Sequence, residues 1–427
     1  MEHARAAVGF VLLLGLAWLL SSNRRRFPLR TVIGGVSLQI MLGLFVLKTD
    51  TGAALFTAIG HLVTVIIDAS DAGAAFVFGN LYQSRPDDWG FVFAAKALPT
   101  IVVFSSLSAI GYHLGVLQKV VGLMARAMTR LMRASGAESL SAAGNVFLGQ
   151  TEAPLLVRPY INGMTQSELN AVMVGGFATM AGSLIAVYMD LLGHHDQAAM
   201  SEFARHLMTA SLMSAPASLV VARILLPETE TPRTAGHVRL TTADRDTHNV
   251  VDAAATGALI GLKLALNVAA MLIAFIAIIR LIDVGLGTVG SLPFLQHWLS
   301  SHGIEHLTLD TLLGLLFAPV AWLIGNPPSE CRAFGSLLGK AMATNEFVAY
   351  KSLAAMIADG SLSPRSSYLA VYALCGFANF SSVAIQVAGI GALAPERHHD
   401  LARLGLRAML GGALTCWMTA CVAGVLT

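Results

Sequence analysis

Charged residues are scarce in this sequence. Asp, Glu, Lys and Arg together make up 12% of the 427 residues, about half the roughly 25% that is usual in soluble domains. Hydrophobic residues make up 55% and the mean hydropathy is +0.68. A formal net charge of +2 gives no reason to expect nucleic acid as a partner. The composition predicts a membrane protein with several spans of about 20 residues each.

Cysteine is also sparse, and motifs of enzyme sites are missing. The chain has four cysteines with no CxxC pair, so neither a disulfide framework nor a zinc site is indicated. It has no HExxH and no GxSxG motif. A cleaved signal peptide is not predicted either, because the arginines follow the apolar run Ala6–Leu20 instead of preceding it. That run is interpreted as a retained first span.

Apolar segments of spanning length recur along the chain. The first is followed by Arg24, Arg25, Arg26 and Arg30, and basic residues favour the cytoplasmic side. The N-terminus is therefore expected outside, and eight crossings place both termini outside the inner (plasma) membrane. The predicted spans are Ala6–Ser21, Thr31–Leu47, Gly90–Leu114, Gln166–Leu192, Glu202–Leu226, Asp252–Gly287, Ser366–Gly391 and Leu401–Thr427.

Four further segments are not assigned as spans. The interrupted apolar pattern of Gly52–Asn80 predicts an interfacial helix with a loop. Gly115–Ala134 carries basic residues among apolar ones at helical spacing, which predicts an amphipathic helix on the cytoplasmic surface. Pro227–Val250 is a long polar stretch and is expected to be a cytoplasmic loop. The length of Thr308–Gly325 does not distinguish a span from an interfacial or re-entrant helix.

The stretch Gly144–Pro159 is too polar for lipid and too apolar for a solvated loop. Gln150, Thr151 and Glu152 stand among apolar residues, and glycine and proline interrupt any helix. Polar backbone at membrane depth is tolerated only where protein or a water-filled cavity covers it. The stretch predicts a re-entrant hairpin with these polar residues at its tip; an ordinary loop outside the membrane is the alternative.

The two halves of the chain repeat one plan. Gly176–Met180 (GFATM) corresponds to Gly376–Phe380 (GFANF), and upstream of each lies a polar tip with a glutamate, Glu152 or Glu346. A tip, a broken helix and a span, occurring twice with opposite orientation, form the plan of a secondary transporter. The alternative is close helix packing through small residues. That alternative explains the glycines but leaves the two glutamates unexplained.

Broken helices expose backbone groups that can bind ions. Freed carbonyl groups at such a break can bind a cation. Thr179 lies within the first break, and Asn145 lies on the facing hairpin. Hydroxyl, amide and carbonyl oxygens of this kind suit Na⁺, so the pair is a candidate cation site.

Five further stretches are distinctive: Gly149–Pro159 (GQTEAPLLVRP), Ser214–Leu219 (SAPASL), Pro227–Glu230 (PETE), Asn345–Tyr350 (NEFVAY) and Tyr372–Asn379 (YALCGFAN). They closely resemble signatures of the concentrative nucleoside transporter family. The resemblance covers most of the chain from about Gly136 onward, and the N-terminal third has the length of the bacterial eight-span form. It implies two hairpins, two broken helices and a homotrimer whose protomers transport separately.

The resemblance also implies roles for individual residues. The first hairpin tip would bind the nucleobase of uridine, cytidine or adenosine-like nucleosides, and residues in the second half of the chain would bind the ribose hydroxyls. Na⁺ would be the coupling ion, and the hydroxyl of Thr179 favours sodium over proton coupling. The implied substrate-binding residues are Gln150, Thr151, Glu152, Leu184, Glu346, Phe377, Asn379 and Ser382. The implied sodium ligands are the side chains of Asn145 and Thr179 and main-chain oxygens near Leu148 and Met180.

The sequence therefore predicts an all-α polytopic membrane protein that imports nucleosides with sodium by alternating access. A proton-coupled symporter is the main alternative; an intramembrane enzyme using Glu152 and Glu346, or a passive channel, is weaker. The expected division is a scaffold at 1–113, a first repeat at 114–226, a cytoplasmic loop at 227–251, a long scaffold span with an outer loop at 252–307 and a second repeat at 308–427.

Overall fold

The regular structure of the chain is helical. The computed structural model describes residues 2–83, 93–193, 196–236, 247–301 and 306–427. Short 3-10 helices cover Ala153–Val157 and Pro395–Arg397. In chain order the α-helices are α1 (Glu2–Leu19), α2 (Leu29–Lys48), α3 (Asp50–Phe78), α4 (Asn80–Gln83), α5 (Phe93–His113), α6 (Val116–Met132), α7 (Gly136–Gly144), α8 (Arg158–Ile161), α9 (Gln166–Ala178), α10 (Gly182–Gly193), α11 (Gln197–Leu225), α12 (Val250–Gly290), α13 (Pro293–Ser301), α14 (Leu309–Ile324), α15 (Cys331–Ala343), α16 (Glu346–Ala358), α17 (Pro364–Ala373), α18 (Phe380–Leu393) and α19 (His398–Leu426).

The prediction of an all-helical polytopic membrane protein is confirmed. Within the described ranges, seven helices are long and apolar enough to cross a membrane, or up to eight if the bent pair α5–α6 forms one span. α9 and α10 together make one of the seven. α14, with 16 residues, is shorter than a full span, so its placement stays a prediction.

The predicted loop within Gly52–Asn80 is wrong. α3 is one continuous helix of 29 residues, and it ends at Gly79, whose φ of +54° suits glycine. Its buried residues recur every three to four positions and are mostly small: Gly52, Gly60, Thr64, Ser70 and Ala74, together with Phe56 and Ile67. A Cβ placed on Gly60, for example, would lie 3.3 Å from the Cβ of Ala204 on α11. The residues that interrupt the apolar pattern are thus packing contacts.

α6 turns sharply away from α5. The two helices meet at 77°, and Gly115 between them has a φ of +78°. One face of α6 is buried, whereas its three basic residues and Arg133, which follows the helix, are exposed. The predicted amphipathic helix is confirmed, and its position on the cytoplasmic surface stays a prediction. The exposed basic residues are Lys119, Arg126, Arg130 and Arg133.

The bundle has a buried core, and α12 lies at its periphery, packed against α5. Most residues of α9, α10, α11 and α19 are buried, whereas only six of the 41 residues of α12 are. Four of those six, Ala253, Gly257, Gly261 and Ala265, form a stripe of small residues. A Cβ on Gly257 would lie 2.6 Å from the Cβ of Ala109 on α5, so the two backbones approach closely.

Both copies of the predicted plan, a tip followed by a broken helix, are present in the described residues. α7 and the 3-10 helix flank the tip at 145–152, and α15 and α16 flank the tip at Thr344–Asn345. α9 and α10 are broken at 179–181, and α17 and α18 at 374–379. The second helix of the later hairpin begins at Glu346. The two breaks touch, because a Cβ on Gly376 would lie 2.2 Å from the carbonyl oxygen of Phe177.

The polar stretch after α11 is irregular as far as the structure describes it. Residues 227–232 follow an irregular path and 233–236 include a turn, and 237–246 of the predicted loop lie outside the described residues. The amide of Gly136 donates to the carbonyl of Thr234 at 2.9 Å. The turn therefore anchors the start of α7 and the base of the first hairpin.

Candidate substrate and cation sites

One cavity of about 350 Å³ lies where the two hairpin tips meet the two helix breaks and α12. Pockets for small organic ligands commonly measure about 300–1,000 Å³. All eight residues that the sequence analysis assigned to substrate binding line it. They are Gln150, Thr151, Glu152, Leu184, Glu346, Phe377, Asn379 and Ser382.

Glu346 is the first residue of α16 and its carboxylate is held from two sides. Asn345 caps the helix by accepting a hydrogen bond from the amide of Val348 at 3.0 Å. The Tyr188 hydroxyl donates to Oε1 of Glu346 at 3.4 Å, and Nδ2 of Asn379 donates to Oε2 at 3.1 Å. Each carboxylate oxygen keeps further lone pairs, so the group can accept from a ligand with two hydroxyls.

Asn379 is oriented by the helix that it caps. Its Oδ1 accepts from the amide of Ser382 at 2.8 Å and from the hydroxyl of Ser381 at 2.6 Å. A backbone amide can only donate, so Oδ1 must face α18 and Nδ2 must face Glu346. The second break therefore presents a fixed donor to the carboxylate.

The first hairpin tip brings an amide and a second carboxylate to the cavity. Gln150 donates through Nε2 to the hydroxyl of Ser382 at 3.3 Å, which links the two halves of the chain. Glu152 accepts from the amide of Gly149 at 3.3 Å, and this bond closes the turn. Thr151 is exposed beside them. The tip offers both donors and acceptors to a polar heterocycle.

Three helices begin at the cavity, and their N-termini favour negative charge. α10 begins after Ala181, α16 begins at Glu346 and α18 begins after Asn379; all three residues line the cavity. Free amides and partial positive charge at helix starts stabilise a carboxylate and polarise bound oxygen atoms. The broken helices thus supply electrostatics as well as side chains.

Sequence reasoning missed several residues that line the cavity. Tyr188 stacks on Tyr350 with ring centroids 4.0 Å apart and reaches Glu346 with its hydroxyl. Lys263 and Asn267 of α12 also line the cavity. They stand four residues apart on a largely apolar helix, which places them on one face. That spacing is a signal for the site, and the assignment of α12 to the scaffold does not use it.

A second cavity of about 630 Å³ adjoins the first. It lies between the first hairpin, the first break, α5 and α12, and it reaches His113 at the end of α5. Glu152, Ala181 and Ile260 line both cavities. The tip of the first hairpin therefore stands between the two.

Two of the predicted cation residues, Asn145 and Thr179, lie against Gly175 of α9, just before the first break. Asn145 and Thr179 are buried, and a Cβ on Gly175 would lie 3.2 Å from Nδ2 of Asn145. Nδ2 donates to the carbonyl of Ser141, and the Thr179 hydroxyl donates to the carbonyl of Gly175 at 2.9 Å. Oδ1 of Asn145 has no hydrogen-bond partner among the residues that the structure describes. A buried amide oxygen without a donor suits a cation.

The same break brings the other two predicted positions close. Thr179 has extended backbone, with a φ of −128° and a ψ of 157°, so the helix is open at this point. The amide of Gly182 donates to the carbonyl of Phe147 at 3.1 Å, which ties the break to the hairpin beside Leu148. Met180 follows Thr179 within the break. The oxygen-rich donor set fits Na⁺, for which freed carbonyl groups at helix breaks are known ligands.

Comparison with known families and proteins identifies close relatives. A model of the Na⁺-dependent nucleoside transporter C-terminus matches residues 206–424, and a model of the N-terminus matches 8–81. A nucleoside recognition (Gate) model matches 94–195. An uncharacterized transporter of Haemophilus influenzae is 42% identical over 430 residues, covering 100% of this chain and 98% of that protein.

Solved structures resemble the chain over its whole length. CNTnw in an inward-facing, substrate-bound state is 39% identical, with a TM-score of 0.89 and coverage of 100% of this chain and 98% of that chain. A variant of CNTnw in an outward-facing state is 38% identical, with a TM-score of 0.88 and the same coverage.

Proposed function

The chain belongs to the family of concentrative, Na⁺-dependent nucleoside transporters, and from that premise we propose that it imports nucleosides by symport with sodium. The family is one of transporters, so Glu152 and Glu346 are assigned to binding and not to acid/base catalysis. The observation that carries the proposal is the single cavity in which both hairpin tips and both helix breaks meet.

The ribose end of the substrate is assigned to the second half of the chain. The Glu346 carboxylate, with lone pairs left after its bonds to Tyr188 and Asn379, accepts from the ribose diol. Hydrogen bonds to a carboxylate are roughly twice as strong as those between neutral groups. Ser382 adds a hydroxyl at the same end of the cavity.

The base end is assigned to the first hairpin. Gln150 and Thr151 offer donors and acceptors that match the polar edge of a nucleobase. Glu152 stands at the border with the second cavity. Leu184 and Phe377 supply the apolar and aromatic surface on which a base packs. Uridine, cytidine and adenosine-like nucleosides all carry these features.

Sodium is assigned to the first break. Asn145 and Thr179 would hold it with their side-chain oxygens, together with main-chain oxygens near Leu148 and Met180. The unpartnered Oδ1 of Asn145 supports this assignment. A bound cation at this position would stabilise the first hairpin against the break, and so would favour the arrangement that forms the base end of the cavity. Proton coupling is the alternative, and it requires no cation at Asn145.

Alternating access is proposed to proceed by movement of the hairpins and broken helices against a scaffold. Relatives solved in inward-facing and outward-facing states support two such arrangements. The tip at Glu152 separates the substrate cavity from the larger one, so its displacement would join them. The scaffold would comprise 1–113 and 252–307 and would assemble as a homotrimer in the inner membrane, with both termini outside.

Uptake of labelled uridine into proteoliposomes tests the proposal. An inward sodium gradient is compared with a matched choline gradient and with an imposed pH gradient. Accumulation above equilibrium only with sodium supports nucleoside symport with sodium. Accumulation that follows the pH gradient and ignores sodium would retain the substrate class and refute the cation assignment. Absence of uptake under every gradient, by protein that is monodisperse, would refute the substrate assignment.

A further inference from the structure

Gln386 is a fully buried amide directly behind the substrate cavity. It lies on α18 and is 0% exposed, and its Nε2 donates to Oε1 of Gln150 at 3.1 Å and to the carbonyl oxygen of Met173 at 3.2 Å. Gln386 thus joins the first hairpin tip, α9 and α18 across the two halves of the chain. A Cβ placed on Gly176 would lie 2.7 Å from Nε2 of Gln386 and 3.1 Å from Cβ of Gln150, so the glycine makes room for the pair.

The orientation of both amides follows from one backbone atom. The carbonyl oxygen of Met173 can only accept a hydrogen bond, so the group that faces it must be Nε2 of Gln386. The second hydrogen of that nitrogen points to Gln150, which must therefore turn Oε1 toward it. Nε2 of Gln150 is then left for Ser382 and the cavity.

This orientation decides which groups are offered to a ligand. With Nε2 facing the cavity, Gln150 has a second amide hydrogen available to donate to an acceptor atom of the substrate. Because the Ser382 oxygen accepts from Gln150, the serine hydroxyl hydrogen also stays available for donation. If the Gln150 amide were reversed, Oε1 would face the cavity and the serine hydrogen would be used on it.

We propose that Gln386 is a positioning residue for base recognition, which holds Gln150 so that it donates to a hydrogen-bond acceptor of the nucleobase. The inference rests on the proposed nucleoside function and deepens it. A substrate must then present a carbonyl oxygen or an unprotonated ring nitrogen to the first hairpin tip.

The test separates the base from the sugar. Purified protein in saturating sodium is titrated with uridine and with methyl β-D-ribofuranoside, a riboside that has no base. Gln386→Met has nearly the same length but no donor, so Gln150 is no longer held in one orientation. We expect the affinity for uridine to fall about tenfold, as for a lost buried hydrogen bond. The affinity for the riboside should fall less, because the Glu346 carboxylate is unchanged and the Ser382 oxygen can still accept from a ribose hydroxyl.

A second variant and a double-mutant cycle keep the test decisive if Gln386→Met folds poorly. Gly176→Ala crowds the same pair from α9 and should show the same selective loss for uridine. In a Gln150→Ala background, Gln386→Met should cause no further loss in the ratio of the two affinities, because the two residues act as one unit. Independent, additive losses would contradict a positioning role.

Gln39 supplies a matched control. It is a buried glutamine that donates to Thr419 at 3.0 Å and has an unpartnered Oε1, as Gln386 has. Gln39→Met should leave the ratio of uridine to riboside affinity unchanged. Equal losses for both ligands in Gln386→Met would show a merely structural role and overturn the inference. If the wild-type protein binds neither ligand, the proposed function itself fails.

Discussion

Replacing Glu346 by glutamine should remove much of the ribose recognition while the fold is retained. The side chain keeps its shape and its place as the first residue of α16. Tyr188 and Asn379 now donate to its two oxygens at 3.4 Å and 3.1 Å. In the variant, the tyrosine hydroxyl can rotate to accept from the new amide nitrogen, while the remaining oxygen still accepts from Asn379. The protein's own contacts are therefore satisfied without the charge.

The substrate's contacts are not satisfied in the same way. A glutamine has one acceptor oxygen instead of two, and the bonds that remain lose their charge assistance. A hydrogen bond to a charged group is worth about 1.5–3 kcal/mol, and about 1.4 kcal/mol corresponds to tenfold in affinity. We therefore expect the affinity of Glu346→Gln for uridine to be lower by roughly ten- to one-hundredfold.

The assay is uridine binding to purified protein in sodium, repeated with 3′-deoxyuridine and 2′-deoxyuridine. The wild-type protein should discriminate between uridine and at least one deoxy analogue, and Glu346→Gln should lose that discrimination. Glu202→Gln is the control, because this carboxylate lies on α11 and pairs with Arg205 and His206, outside the cavity lining. Unchanged uridine affinity in Glu346→Gln, with discrimination intact, would refute the assignment of the ribose site.

Three further changes test other parts of the structure. Asn145→Ala removes the unpartnered amide oxygen and should raise the half-saturating sodium concentration for uridine uptake at least about tenfold; an unchanged sodium dependence would contradict the cation assignment. Arg223→Met leaves the fully buried carboxylate of Glu138 without its cationic partner and should cost about 3–5 kcal/mol of stability. We expect a lower melting temperature in detergent, which adding Glu138→Gln should partly recover. Gly376→Ala places a Cβ 2.2 Å from a backbone carbonyl oxygen at the contact between the two breaks and should destabilise by about 1–3 kcal/mol, whereas Gly15→Ala, whose Cβ meets nothing within 4 Å, should melt like the wild type.

The helices and their breaks could be predicted because they depend on local chemistry. An apolar run of about 20 residues is long enough to cross the bilayer whatever surrounds it, and glycine or a polar residue in such a run weakens the helix there. The breaks at Thr179 and Asn379 follow from this, as does the first hairpin tip. The same rule gives a wrong prediction for α3, because its small residues, such as Gly60, pack against α11 and leave the helix continuous.

The partners of the site residues could not be predicted in that way. Tyr188 and Glu346 are 158 positions apart, and Gln150 and Gln386 are 236 apart. No local pattern contains such a pairing, because it depends on how whole helices pack. Lys263 joins the cavity for the same reason: α12 presents that face to the hairpin tips.

The sequence by itself determined the class of protein, the positions at which helices break and the kinds of functional group that stand at those breaks. Only the tertiary structure decided which breaks meet, which amide atoms face the cavity and which carboxylate oxygens are left for a ligand. The physical reason is that helix formation is decided over a few neighbouring residues, whereas a buried hydrogen bond needs a partner that the packing brings from a distant part of the chain.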